Sequence, residues 1–386
     1  MGEKRELLTG NEAVAQAVRL VQPEVIAMYP ITPQTPIVTR IAEMVAEGEL
    51  ACEVITAESE HAAMAACIAA SLAGARVFTA TSSQGLAYMH EMLHYASGSR
   101  VPVVMVNVNR ALAAPWGFGP DPTDSLSQRD TGWIQIYCET GQEVLDTVVQ
   151  AYRLAETVLL PVMVVMEGFY LSHTTEPVLV PEEETVREFL AGLRPPAYLV
   201  PGPPYTVNNT AGHVRYARHR LEMHQAMRAA VDEAQAASDR WAELTGRAYD
   251  PIEVYPDAQA QTWFVALGAL AGTVRCAVEA LRDKGLPVGL VRVRLVRPFP
   301  VERLRRTLEG AKRVIVLDRA CSPGLGGILA QEVRAALYGL PRAPEVYSWL
   351  AGVGGSNVAA EGLVQLGAEI CRRGPAYAGY EGWLEV

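Results

Sequence analysis

No two of the six cysteines in this 386-residue chain stand in a CxxC spacing; Cys52, Cys67, Cys138, Cys276, Cys321 and Cys371 are scattered along its length. That excludes an iron–sulfur cluster, a cysteine zinc site and the disulfide framework of a small secreted domain. No apolar run reaches the roughly 18 residues of a membrane span. The start, Met-Gly-Glu-Lys-Arg, lacks the apolar stretch of a signal peptide. Basic side chains are in deficit: 33 Lys and Arg against 43 Asp and Glu leave a net charge of -10. Such a surface repels phosphate backbones, which argues against nucleic acid as a partner. A soluble, cytoplasmic protein is expected. What the chain does have is apolar material. Half its residues are hydrophobic and 20% are charged, enough to bury sizeable cores, and the length suggests two domains.

The first 170 residues alternate between helix-period segments and short strand-like runs. Helices are expected over 11–20 (with Asn11 as cap), 36–48, 58–73, 85–96 and 140–156. Strands are expected over 24–28, 52–56, 76–80, 101–107 and 160–166. Continuous apolar strands between helices indicate a parallel sheet covered on both faces. Residues 172–210 carry Pro177, Pro181, Pro195, Pro196, Pro201, Pro203 and Pro204 and read as an extended surface connector. A long, solvated or partner-facing helix over 214–247 follows. From about residue 255 a second alternation begins, with strands over 262–268, 288–293, 313–318 and 345–349 and helices over 273–284, 301–309 and 326–336. The expected division is 1–250, with connector and helix at about 172–250, and a smaller α/β domain over 255–386.

In parallel sheets, ligands bind beyond the carboxyl ends of strands. Four segments should therefore meet at one edge: Tyr29-Pro30-Ile31-Thr32-Pro33, Glu58-Ser59-Glu60-His61, Thr81-Ser82-Ser83-Gln84-Gly85 and Asn107-Val108-Asn109-Arg110. Each has a plain structural explanation: a proline-stiffened turn, acidic complements to a helix N-terminus, a helix cap and a surface ion pair. Together they offer hydroxyls, a carboxylate suited to a ligand nitrogen, and a guanidinium suited to a small acid's carboxylate. His61 and His90 fit helix surface or core better than ligation. The loop with Trp116 and Phe118 is long enough to be a lid or a pinned surface loop. Asp318-Arg319-Ala320-Cys321-Ser322-Pro323-Gly324-Leu325-Gly326-Gly327 follows a strand and opens a helix; a glycine turn fits it better than a phosphate loop, which would need Gly-Lys-Ser/Thr. No metal-ligating set stands out.

Taken in order, several of these motifs form a recognisable set: Thr9-Gly10-Asn11-Glu12-Ala13, Tyr29-Pro30-Ile31-Thr32-Pro33-Gln34-Thr35-Pro36, Glu58-Ser59-Glu60-His61, Thr79 to Leu86, Asn109-Arg110-Ala111-Leu112, Arg129 to Trp133 and Ser322-Pro323-Gly324. The chain resembles the alpha subunit of 2-oxoacid:ferredoxin oxidoreductases of the pyruvate:ferredoxin oxidoreductase type. The resemblance implies an α/β protein: a parallel-sheet thiamine-diphosphate pyrimidine-binding domain, then a smaller transketolase-C-like α/β domain. It implies oxidative decarboxylation of a 2-oxo acid with coenzyme A. Glu60 would contact the aminopyrimidine ring nitrogen and promote its imino tautomer. Thr32 and Arg110 would hold the substrate; Pro30, Ile31, Ser83 and Gln84 would line the cofactor. The chain lacks a Gly-Asp-Gly motif and a cysteine cluster. The Mg2+–diphosphate half-site and the [4Fe-4S] clusters would therefore belong to beta, gamma and delta partners that pass electrons to ferredoxin. After Arg110 the sequence departs from the Trp-Asn-Asp-His-Ser-Asp-like stretch of related pyruvate enzymes. Trp116 or Phe118 there suits a bulkier 2-oxo acid, branched or aromatic such as phenylglyoxylate, and the changed loop also suits oxalate; NAD is the alternative acceptor. Two other classes compete: a nucleotide-binding oxidoreductase, although Tyr29 to Pro33 has no glycine, and a non-catalytic scaffold.

Overall fold

Thr9, rather than Asn11, starts the first helix. The Thr9 hydroxyl accepts from the Glu12 backbone N–H at 3.2 Å, and the Glu12 carboxylate accepts from the Thr9 N–H at 2.8 Å, a reciprocal capping pair. Asn11 lies two residues past that cap, and its buried amide donates instead to the Pro33 carbonyl at 3.0 Å. The first helix thus pins the turn that follows the first strand of the main sheet.

The computed structural model describes residues 2–202, 205–256, 260–372 and 381–384. In chain order the first half holds β1 (Lys4–Thr9), α1 (Gly10–Val21), β2 (Val25–Met28), α2 (Thr35–Ala46), β3 (Glu53–Thr56), α3 (Glu60–Leu72), β4 (Val77–Thr81), α4 (Ser83–Tyr88) and α5 (His90–Gly98). It continues with β5 (Val104–Asn109), α6 (Thr123–Leu126), β6 (Ile134–Tyr137), α7 (Gly141–Val158), β7 (Val162–Glu167), β8 (Thr175–Val180), α8 (Glu183–Phe189) and α9 (His213–Thr245). The second half holds β9 (Ile252–Tyr255), β10 (Thr262–Ala266), α10 (Leu270–Asp283), β11 (Val288–Val293), β12 (Leu295–Arg297), α11 (Val301–Leu308) and β13 (Arg313–Asp318). It ends with β14 (Cys321–Ser322), β15 (Gly326–Gly327), α12 (Ile328–Leu337), β16 (Glu345–Leu350), α13 (Ala360–Arg372) and β17 (Glu381–Trp383).

The main sheet runs β12-β6-β7-β5-β4-β2-β3, parallel except for β12. Its central strands β5 and β7 are buried at every residue, as continuous apolar runs require when helices cover both faces. α1, α2 and α7 pack on one face. On the other, one apolar cluster runs from Met64 and Leu93 through Trp133 to Val291 and Val316 of the second sheet and Leu329 of α12. That second sheet runs β17-β16-β13-β10-β11-β9, parallel except for β9. The two halves therefore share a core.

Several expectations change here. The 172–210 segment is not simply an extended connector. β8 pairs antiparallel with β1, and α8 follows, with Phe189 stacked edge-on against Trp241 of α9 at 5.0 Å between centroids. Pro177 is tolerated because a two-stranded sheet leaves every strand a free edge. Pro203 and Pro204 lie outside the described residues. The helix expected over 85–96 breaks at Met89 into α4 and α5. β12, from the second half, adds to the main sheet beside β6.

A buried ionic network ties the halves. Glu143, in the first turn of α7, accepts from Arg292 Nη1 at 2.9 Å and Arg294 Nε at 2.7 Å, and Arg292 Nε also reaches Glu253 at 2.9 Å. Burial pushes the Glu143 carboxyl up, but the two guanidiniums outweigh it and hold it below the usual range. No described helix is long and apolar enough to cross a membrane.

Candidate active site

The carboxyl ends of β2, β4 and β5 and the start of α3 bring the four predicted segments to one edge. Arg110, which follows β5, is 3% exposed. Its Nη1 donates to the Thr32 carbonyl at 2.6 Å and its Nη2 to Gln84 Oε1 at 2.5 Å, while its Nε is buried without a partner. Burial pulls the Arg110 pKa below its ordinary value, against the opposing influence of Asp124 and Glu60. Thr32 meets Arg110 through its backbone oxygen, and its side chain faces solvent. Pro30 is exposed and Ile31 half-buried on the same turn, which Gln34 closes by donating to the Tyr29 carbonyl at 2.7 Å. Trp116 and Phe118 sit at the tip of a loop closed by the Ala111 N–H on the Gly119 carbonyl. They are 71% and 55% exposed, yet both rings flank the Arg110 guanidinium, at 5.6 and 5.7 Å.

Glu60 opens α3, capped by the Ser59 hydroxyl on the Ala62 N–H. Its carboxylate has no hydrogen-bond partner among the described residues. It faces Gly85, where a Cβ would stand 2.6 Å from Glu60 Oε1 and 2.5 Å from Thr81 Oγ1. Only glycine lets the Glu60 and Thr81 side chains pack this close to α4. Around Gly85, Thr81 Oγ1, Ser82 Oγ and Gln84 Nε2 are buried without partners. Buried polar atoms without partners are costly, and three of them meet at this edge. Ser83 adopts a left-handed φ of 50°, and its hydroxyl lies 2.6 Å from Gln84 Oε1 and 2.8 Å from the Ala111 carbonyl.

The residue that sequence reasoning missed is Asp124, 1% exposed, beneath this edge. Its carboxylate accepts from Ser83 N (2.9 Å), Asn107 Nδ2 (3.2 Å), Asn109 Nδ2 (2.5 Å), Arg110 N (3.2 Å) and Ser125 N (2.6 Å). Burial outweighs these bonds and pushes its pKa up to about 6. Its only sequence signal is an acid in a Pro-rich loop that follows a strand ending Asn-Val-Asn.

Residues 16–238 match the thiamine-diphosphate-binding domain of pyruvate flavodoxin/ferredoxin oxidoreductase, and residues 260–363 match core domain II of pyruvate:ferredoxin oxidoreductase. Pyruvate synthase subunit PorA of Methanothermobacter thermautotrophicus is 45% identical over 355 residues, 92% of each chain. The chain belongs to the 2-oxoacid:ferredoxin oxidoreductase family. Ketoisovalerate oxidoreductase subunit VorA of Pyrococcus horikoshii, another relative, is 47% identical over 356 residues, 92% of this chain and 90% of that one. Two solved structures share the fold. A 2-oxoglutarate:ferredoxin oxidoreductase from Magnetococcus marinus superposes with a TM-score of 0.77 at 22% identity, covering 95% of this chain and 65% of that one. A split-gene transketolase does so at 0.58 and 13%, covering 95% and 99%.

Other residues weighed from the sequence have partners of their own. His61 is partnered at the surface by Glu91 at 3.3 Å, and His90 by Gln128 at 2.5 Å. The Asp318–Gly327 turn has no room for a phosphate on α12. Asp318 itself occupies the helix N-terminus, accepting from Leu329 N at 2.6 Å and Ala330 N at 3.1 Å, and burial pushes its pKa up to about 7.

Proposed function

We propose that this chain is the α subunit of an enzyme that oxidatively decarboxylates a 2-oxo acid with coenzyme A, yielding an acyl-CoA and carbon dioxide. Pyruvate is the default substrate. The observation that carries this reading is the pairing, at one sheet edge, of an unpartnered Glu60 carboxylate packed against Gly85 with a buried guanidinium that keeps a free N–H.

These residues suit a thiamine pyrimidine. Glu60 lies against Gly85 with a carboxylate free for a ring nitrogen, and Thr81, Ser82 and Gln84 bring polar atoms that need partners. When bound, thiamine diphosphate supplies the nucleophilic carbon and the electron sink. Glu60 holds a proton at the ring nitrogen, which is positioned acid–base work. Pro30, Ile31, Ser83 and Gln84 wall the cofactor side. Arg110 and the Thr32 hydroxyl orient the substrate's carboxylate and carbonyl, a task suited to a planar guanidinium. The Mg2+–diphosphate half of the site and the [4Fe-4S] relay belong to β, γ and δ partners, with ferredoxin as acceptor, in the cytoplasm.

A second reading, a branched or aromatic 2-oxo acid, is favoured by Trp116 and Phe118 flanking the Arg110 guanidinium. The test is turnover by the assembled complex on pyruvate, branched, aromatic and dicarboxylic 2-oxo acids. Pyruvate turned over best supports the default; a clear preference for a bulky substrate selects the second. A Glu60→Gln complex is expected to lose about 100-fold or more in kcat, and full activity would refute the assignment.

A further inference from the structure

Five N–H donors converge on the two oxygens of Asp124, and none of them can accept a proton. A neutral amide in its place would accept at one end only and would turn its own N–H2 against donors at the other. Asn107 and Asn109 both aim their N–H2 groups at Asp124, although this leaves their amide oxygens buried without partners. That orientation fits a charged acceptor.

Two routes lead from this carboxylate to one guanidinium. Directly, Asp124 Oδ2 holds the backbone N–H of Arg110 at 3.2 Å. Indirectly, it holds the N–H of Ser83, in its left-handed conformation, at 2.9 Å. The Ser83 hydroxyl lies against Gln84 Oε1, which accepts from Arg110 Nη2. Asp124 is too deeply buried to touch a ligand. We infer that Asp124 is a positioning residue whose ionised carboxylate fixes the Arg110–Gln84–Ser83 arrangement, and with it the placement of the 2-oxo acid's carboxylate. This rests on the reading of Arg110 as the substrate clamp.

The charged or ionisable groups that face Asp124 are Arg110, just after β5, and Tyr137 from β6, with Glu60 from α3 beyond Arg110; α4 presents Ser83 and Gln84. Lowering the pH through about 6 protonates Asp124. The added proton confronts one of the five donors, and the clamp loosens.

The test uses the assembled enzyme. Asp124→Asn is expected to raise KM for the 2-oxo acid by roughly tenfold or more, because small displacements of a positioning group are costly. KM for coenzyme A should stay within about twofold. In the wild type, KM for the 2-oxo acid should rise as pH falls from about 8 to about 5, and Asp124→Asn should flatten that rise. An unchanged KM in Asp124→Asn, or a wild-type KM flat across this range, overturns the proposal. Should Asp124→Asn fail to assemble, the wild-type profile decides alone. Arg110→Gln separates the two ideas. If it leaves KM unchanged, the clamp reading falls; if it raises KM while Asp124→Asn does not, only the role of Asp124 falls.

Discussion

Asp124 and Glu143 are buried alike, 1% and 2% exposed, and they answer burial in opposite ways. Glu143 meets two guanidiniums, Arg292 and Arg294, and stays below the usual carboxylate range. Asp124 meets amide and backbone N–H groups, and burial carries it up to about 6. Full opposite charges repay desolvation where dipoles alone do not. The network around Glu143 accordingly fastens two halves of the chain with a charge that stays put at neutral pH. The cradle around Asp124 supports the site with a charge that sits near its titration point.

Replacing Glu143 should have the largest effect on stability. Glu143→Gln leaves the buried Arg294 guanidinium without its anion and strips Arg292 of one of three carboxylates, at a cost of about 3–5 kcal/mol, readable as a lower midpoint in chemical denaturation. Its pH dependence should follow its depressed pKa: the stabilisation is present above the unfolded carboxyl value and lost as pH falls through the folded one. Asp124 should show the opposite sign. Its raised pKa favours the folded state at low pH, so that contribution fades as pH climbs from about 4 to about 6. The stability gap between wild type and Asp124→Asn should narrow over that interval by about 3 kcal/mol at most. A gap that widens would end the contrast. Gly85→Ala comes next: its methyl meets Glu60 and Thr81. About 1–3 kcal/mol of overpacking is expected, with turnover in the complex falling far more than stability. Trp116→Ala should be smallest, at about 0.5–1 kcal/mol through its lost contact with Arg110, measured as a shift in preference between small and bulky 2-oxo acids with an unchanged melting temperature.

The site's outer wall was legible because sheet topology places strand ends together, so the residues after β2, β4 and β5 could be named from apolar runs alone. Asp124 was not legible. It lies in a loop without periodicity, and only the fold shows that the loop turns back beneath Ser83 and Arg110. β6 and β12 escaped for a related reason: a three- or four-residue strand carries too little pattern, and nothing in Leu295–Arg297 says which sheet it joins. Pro177 misled in the other direction, since a free edge accommodates a proline that a central strand would reject. Asn11 was read as a cap although Thr9 and Glu12, three residues apart, already spelled one.

β12 also sets a timetable. β6 is the margin of the main sheet until Leu295–Arg297 cover it, and the ribosome delivers those residues about forty after β9 begins. Throughout that interval the strand of Ile, Gln, Ile and Tyr is paired to β7 on one side and open on the other, the kind of margin that invites pairing with a neighbouring chain. The first half therefore keeps one sheet margin open until the second half supplies the strand that closes it.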